Sequence, residues 1–564
     1  MSEKARQRLI LLALLAVAAG VLIFFAKVPF RRWQERRLVD AAQRFMEKGE
    51  LRDAYLSSRE ALLKNPKSIP ACSIVAQIAE LEQSPAAILW RQQLTDLQPG
   101  SSGPLIDLAT TATRFGETFI AEQSLSQVRE ADRNDLPFLQ ASASLAIAQK
   151  SYDIAERYFQ KALEITPGDD GLRLNLANIR LASGRPEQIA QARATLESLQ
   201  AKPQFRQAAL RAMISDARLR GDSARAMQLT TKLNQDANAT MGDRLLQLDE
   251  LDHSKSKEFT PELSKLQTLA GNRPELIYLV MTWMNAHGLP AQSLEWCESL
   301  PGKIRAQMPV PLAEAEARTA LADWKKLRDL VKESDWGDLE FMRLALHSRV
   351  LFETDGRRRR SEFRAMWESA TNATRGNPNA LVMLGRLVNG WGWKQEAIEA
   401  WWLAAKNNTG GRAALKALFT HYSAEKNTRE LYRVARRVAE VEPANPIAKN
   451  NVASLALLLG LDEPEAHRLA AENYKLAPAQ PVVAATYAFS LHRKKRTGEA
   501  VAILKQLPPS ALADPSIAAC YGFLLAQNGE PGAARQFLDA ANREKEKLFP
   551  EEVALIDSAL KGLP

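Results

Sequence analysis

From residue 35 onward, apolar and small side chains fall three and four positions apart, the spacing that lines one face of a helix. Leu38, Ala42 and Phe45 share one such face, Gly49 breaks it, Ala54 and Ala61 mark a second, and Pro66 ends it. The same offsets return from Ser68 with Val75, Ile78, Ala87, Leu94 and Pro99, and from Ser102 with Leu105, Ala109, Ala112, Gly116, Ala121, Leu125 and Val128. The fourth unit, with Leu139, Ala143, Ala146, Ala155, Phe159, Ala162 and Pro167, is the clearest. No stretch alternates apolar and polar residues with the period of two that marks a strand, so an all-α fold is expected.

Two further units run from about Asp170 and about Gln207, the second carrying Gly221, Ala226 and Leu233. The register then blurs and returns near Pro378 with Leu381, Gly385, Val388, Gly392, Ala397, Trp401 and Ala404. Three more units bring up Leu415 to Pro443, Ala453 to Pro478, and Tyr487 to Leu507, and a last one runs from Gly522 to Ala541. In between, PELIYLVMTWMNAHGLPAQSLEWCESL and LAEAEARTALADWKKLRDLV each read as a degenerate helix pair. The closing PEEVALIDSALKGLP reads as one amphipathic helix covering the last unit, because a terminal repeat needs a polar outer face. The chain therefore divides into a tail (1–8), an apolar segment (9–26), a basic connector (27–34), a first repeat block (35–240), a degenerate segment (241–377), a second block (378–548) and a capping helix (549–564).

A period of about 34 residues, with small residues and an aromatic on the second helix and proline after it, resembles the tetratricopeptide repeat. The resemblance implies an α-solenoid of helical hairpins in which small residues allow close helix approach and large ones fill the gaps. It also implies ligand contacts from the first helix of each repeat, at offsets two, five, nine, twelve and thirteen. Carried to this chain, those offsets select Thr110, Asn178, Arg211, Ser215 and Arg218 in the first block. In the second they select Arg386, Asn389, Lys416, Thr420, Asn450 and Ser454. Polar and basic side chains there suit an unidentified protein or peptide. The family's two-lysine, two-asparagine carboxylate clamp is incomplete, so capture of a chain terminus is not implied.

Before the repeats, Leu9 to Ala26 holds no charged side chain between Arg8 and Lys27. As a helix it spans roughly 27 Å, close to the hydrocarbon core of a bilayer. A cleaved export signal is the competing reading, but the run is long and passes into Phe24 and Phe25 without a small-x-small site. A retained transmembrane helix is expected, making the chain a single-pass membrane protein. Lys4, Arg6 and Arg8 on one side face Lys27, Arg31, Arg32, Arg36 and Arg37 on the other, so charge alone nearly balances. The basic leader before an apolar segment favours a bacterial inner-membrane protein with the repeats outside the cytoplasm, Trp33 and Phe30 sitting at the interface.

Length and composition agree with an ordered repeat array: 564 residues, 46% hydrophobic and 25% charged, exceed one core without approaching disorder. The net charge of +9 is dilute over that length. Cys72, Cys297 and Cys520 are too far apart for a disulfide framework or a zinc site and read as small core residues. The six histidines are isolated, and phosphate-binding, dinucleotide-binding and nucleophile-elbow motifs are missing. No enzyme, cofactor or metal is expected. The runs Arg357–Arg360 and Arg493–Arg496 read as solvated turns, and without interleaved aromatics they argue against nucleic acid. Trp401 takes the aromatic repeat position, while Trp391, Trp393 and Trp402 suit either a joint or a ligand surface. A membrane-tethered interaction scaffold is the expectation. Its rival is an accessory subunit of an envelope polymer-synthesis or secretion system, and a third reading places an enzyme or nucleic-acid site in 241–377.

Overall fold

The computed structural model describes residues 31–563 apart from 183, 334, 356–359, 408–410, 444 and 479. The expected anchor at 9–26 and its basic leader lie outside these residues, as do most of the Arg357–Arg360 run. Among the described residues no helix is long and apolar enough to cross a membrane, and none forms a strand. Two compact units divide at Ala322 and Asp323, inside the segment where the repeat register blurs.

Helices begin where the local chemistry starts them. Proline, which lacks the amide a first turn leaves unpaired, opens Pro378–Gly390, Pro446–Leu459, Pro481–Arg493 and Pro515–Gln527. The side chains of Asn377, Asn445 and Asp514 accept amides of the following first turns. Turns inside hairpins need a left-handed residue, which Gly392 supplies with φ of 82°. Lys426 and Lys495 hold the equivalent place with φ of 53° and 63°. The RKKR run is thus a hairpin turn, with Arg493 paired to Glu463 and Arg496 to Glu499.

In the first unit, hairpins such as Leu136–Ala148 with Tyr152–Ile165 stack in order. Their cores draw on Ala109, Ala121, Ala143, Ala155 and Ala162, all fully buried, with Phe138, Leu139 and Phe159 between them. Pro274–Ala286 and Pro290–Ser299 form the hairpin expected from the first degenerate stretch. The blur has a simple cause. The extra short helices Gly302–Arg305 and Gly337–Leu339 shift the spacing while the helices persist. The second degenerate stretch becomes Val310–Ala320 and Trp324–Glu333, which fall on either side of the division between units.

In the second unit, first helices start at Pro378, Arg412, Pro446, Pro481 and Pro515, thirty-four or thirty-five residues apart. Each packs on its own second helix, as Pro378–Gly390 does on Lys394–Ala405. Small faces large at the tightest crossings. A Cβ added at Gly385 would lie 2.6 Å from Trp401 Cδ1, and one at Gly522 would lie 2.8 Å from Leu538 Cγ. Trp393 is buried in a cluster with Phe352 and Phe363, and Arg349 lies over the faces of Trp324 and Trp391. The tryptophans therefore join neighbouring hairpins.

Gly385→Ala should cost about 1–3 kcal/mol, because the added methyl must displace a large buried ring. Gly390→Ala, at the end of the same helix with open space around it, should cost nothing measurable. Thermal unfolding followed by circular dichroism checks this: the midpoint should fall for the first variant only.

Candidate protein-binding face

Stacking hairpins side by side brings the first helix of each against the first helix of the next. In the first unit, Ser102–Arg114 packs on Leu136–Ala148, and Pro274–Ala286 packs on Val310–Ala320. In the second, Pro446–Leu459, Pro481–Arg493 and Pro515–Gln527 form such a row. A face made this way is continuous, and its outward side chains decide what it can bind.

In the first unit that face is tied together by ion pairs. Arg211 Nε donates to Asp243 Oδ1 at 2.7 Å and its Nη2 to Oδ2 at 2.8 Å, a bidentate link to the next first helix. Arg218 reaches Glu250 at 2.5 Å and Asp249 at 3.2 Å. Asp249 in turn accepts the Trp283 indole N–H at 2.6 Å, and Trp283 stacks on His287 with ring centroids 3.9 Å apart. Of the residues selected from the sequence, Arg211 and Arg218 are thus occupied within the array itself. Thr110, Asn178 and Ser215 are exposed, and the Thr110 hydroxyl donates to the Ile106 carbonyl of its own helix.

The described buried acids of this unit, and the half-buried Glu80, all meet arginine. Glu80 meets Arg91, Glu156 meets Arg180, and Asp216 meets Arg193. Glu314, fully buried, accepts from Arg305 at 2.8 Å and from Arg318 at 2.7 and 2.8 Å. Burial opposes its charge, yet the two guanidinium groups hold its carboxyl below the ordinary range. Beside it, burial pushes the Cys297 thiol up to about 12, as expected of an inert core cysteine.

In the second unit, Arg386 and Asn389 on Pro378–Gly390, and Lys416 and Thr420 on Arg412–Ala424, are all exposed. Among the described residues no hydrogen bond or ion pair engages these four side chains. Ser454 is half-buried, whereas Asn450 is buried and its Oδ1 has no hydrogen-bond partner. Nearby, Trp402 donates to the Tyr422 hydroxyl at 3.4 Å and carries Arg433 over its face at 4.3 Å. No group of three or more metal-ligating side chains converges among the described residues.

One contact lies beyond any sequence signal. The closing helix Pro550–Gly562 packs mainly on Pro515–Gln527, and it also touches Pro446–Leu459. The Thr428 hydroxyl donates to Glu551 at 2.7 Å across 123 residues of sequence. Expected to cover only the last hairpin, this helix reaches three hairpins back.

A tetratricopeptide repeat family model matches residues 146–214. No curated protein matches the chain in sequence. Among solved structures, a tetratricopeptide repeat protein from Parabacteroides merdae is 19% identical, covering 45% of this chain and 99% of its own, with a TM-score of 0.37. PilW, a widely conserved type IV pilus biogenesis factor, is 17% identical over 39% of this chain and 98% of its own, at 0.33. Cut9 with Hcn1, an APC/C hetero-tetramer, is 11% identical over 83% and 99%, at 0.29. At these identities and TM-scores the likenesses bear on neither arrangement nor partner, and the hairpin architecture rests on the chain's own packing.

The Asp243 carboxyl is held down at about 2, first by the Arg211 hydrogen bonds and then by Thr240, against the cost of burial. A folded-state value below the unfolded value of about 3.9 gives stability at neutral pH that is lost as pH falls through about 2. Because Arg211 is partly exposed, the contribution should be about 1–2 kcal/mol. In denaturant titrations the gap between wild type and Asp243→Asn should be constant above about pH 5 and close toward about pH 2.

Proposed function

We propose that this chain is a membrane-tethered scaffold that binds a protein or peptide along the first helices of its second repeat block. The observation that carries the reading is the set Arg386, Asn389, Lys416 and Thr420. These are exposed polar and basic side chains on successive first helices, and among the described residues no hydrogen bond or ion pair engages them. Arg211 and Arg218, of the same type and on equivalent helices, are instead held by acids one hairpin on. Guanidinium and ammonium groups presented side by side recognise carboxylates or backbone carbonyls of an extended or helical segment. Binding, not catalysis, is the role assigned.

Tethering is supported by the charge-free run Leu9–Ala26 and by the basic helix that comes soon after it. That helix already runs over 31–47, and Arg31, Arg32, Arg36 and Arg37 on it are exposed. Such a cluster suits anionic headgroups close to the bilayer, with later repeats farther along the chain. An extracytoplasmic placement in a bacterial inner membrane is the accompanying proposal. It is checked by protease protection in sealed vesicles, where digestion from the cytoplasmic face would reverse it.

The binding claim is tested by crosslinking in membranes. A recurrent partner should be recovered with wild type and lost, by about tenfold or more, with Arg386→Glu and Lys416→Glu together. Recovery unchanged by the two substitutions would overturn the assignment of the face. A chain lacking residues 1–30 should remain helical and soluble, measured by circular dichroism and sedimentation, because the described hairpins bury their own cores.

A further inference from the structure

Residues 550–562 form an amphipathic helix. Glu552, Ile556 and Ala559 are buried on one face, and Ala554, Asp557, Ser558 and Lys561 are exposed on the other. A helix of this length is marginal alone, so its order depends on docking. Leu548 and Phe549 lead into it, the first buried in the last core cluster and the second packed against the preceding one.

Among the described residues, the acids of this docking differ from the other buried acids in what they meet. Glu551 accepts from the Thr428 hydroxyl, but its other carboxylate oxygen is buried without a hydrogen-bond partner. Glu552, only 7% exposed, accepts from the Ser516 hydroxyl and from the Phe549 amide at 2.8 Å. Among the described residues no arginine, lysine or histidine pairs with either acid, whereas Glu80, Glu156, Asp216, Asp243, Glu250 and Glu314 each meet an arginine. The charges bearing on Glu552 are Asp514 and Glu551, both acidic, and burial with these neighbours raises its carboxyl above the ordinary range. The seat therefore offers neutral hydroxyl donors and an apolar strip, and its present occupant fills it at a desolvation cost.

We infer that the surface formed by Thr428, Ser516 and the first helices 446–459 and 515–527 is a receptor for an amphipathic helix. Residues 550–562 are its in-chain occupant, displaced by a partner helix that presents the same apolar stripe with neutral hydrogen-bond acceptors in its first turn. This deepens the scaffold reading and rests on it for the partner, but the seat itself can be tested without one.

The probe is a fluorescein-labelled synthetic peptide of residues 547–563, titrated against the full chain. Ile556→Asp with Ala559→Asp in the chain should undock its own helix and leave the seat intact. That variant should bind the peptide at least about tenfold tighter than wild type does. A peptide carrying Glu551→Gln and Glu552→Gln should bind about tenfold tighter again, because it keeps the acceptors and removes the charge. Equal binding by the two chains would overturn the seat, and a neutral peptide no tighter than the native one would overturn the assigned ligand chemistry. Should the doubly substituted chain fail to fold, hydrogen exchange on wild type decides. Amides of 550–562 should exchange well before those of Pro515–Gln527, and exchange of both together would make the helix a fixed cap and the inference wrong. Either result stands whether or not a partner depends on Arg386 and Lys416.

Discussion

The closeness of the two helices in each hairpin governs the rest of this molecule. Neighbouring helix axes reach the close end of the usual range of about 8–10 Å where small side chains sit at the crossing, and the chain provides them as Ala143 and Ala155 in one hairpin, Ala453 and Ala470 in another, and Gly385 and Gly522 in two more. With the crossing small on one side, the other side can be large, and Phe159, Trp401 and Leu538 fill it. Because each hairpin leaves an apolar flank, the next hairpin must cover it, which produces the row of first helices and hence a face on which a ligand can lie.

Stacking has an electrostatic consequence. A hairpin that covers its neighbour also covers whatever polar groups the neighbour's first helix carries. The first unit answers by pairing each covered acid with an arginine from the same or an adjacent hairpin, as Arg211 with Asp243 and Arg305 and Arg318 with Glu314. Removing one partner of such a pair is costly because the other is left charged out of water. Arginines held in this way link neighbouring helices and already have acidic partners within the array.

Helix type, hairpin order and the small-against-large pattern were legible in the sequence because they depend on offsets of three, four and about 34 residues, all visible along one chain. Arg211 and Arg218 were singled out by offset, and their partners were not seen. The acid lies 32 residues on in each case, so a search for opposite charges at that separation is the signal that would have found it. Asn450 shows another limit, since its position on the first helix follows from the register but its burial depends on what packs over it. Least legible was the contact of Thr428 with Glu551, because nothing in local periodicity tells a closing helix how far back to reach.

That contact changes how the end of the array should be understood. A cap needs only a polar outer face, and Asp557, Ser558 and Lys561 already provide one. Glu552 accepts the Phe549 amide at the start of its own helix, but covering the array does not call for two carboxylates turned inward against hydroxyls, and the other buried acids among the described residues meet arginine. A glutamine at either position would keep the acceptor oxygen for these donors and remove the charge, and by the same rules of burial it would dock more tightly. The closing helix is thus held by its apolar face and opposed by its own charge. Such a balance keeps an open row of first helices covered when no ligand is present, while leaving a better-matched helix able to take its place.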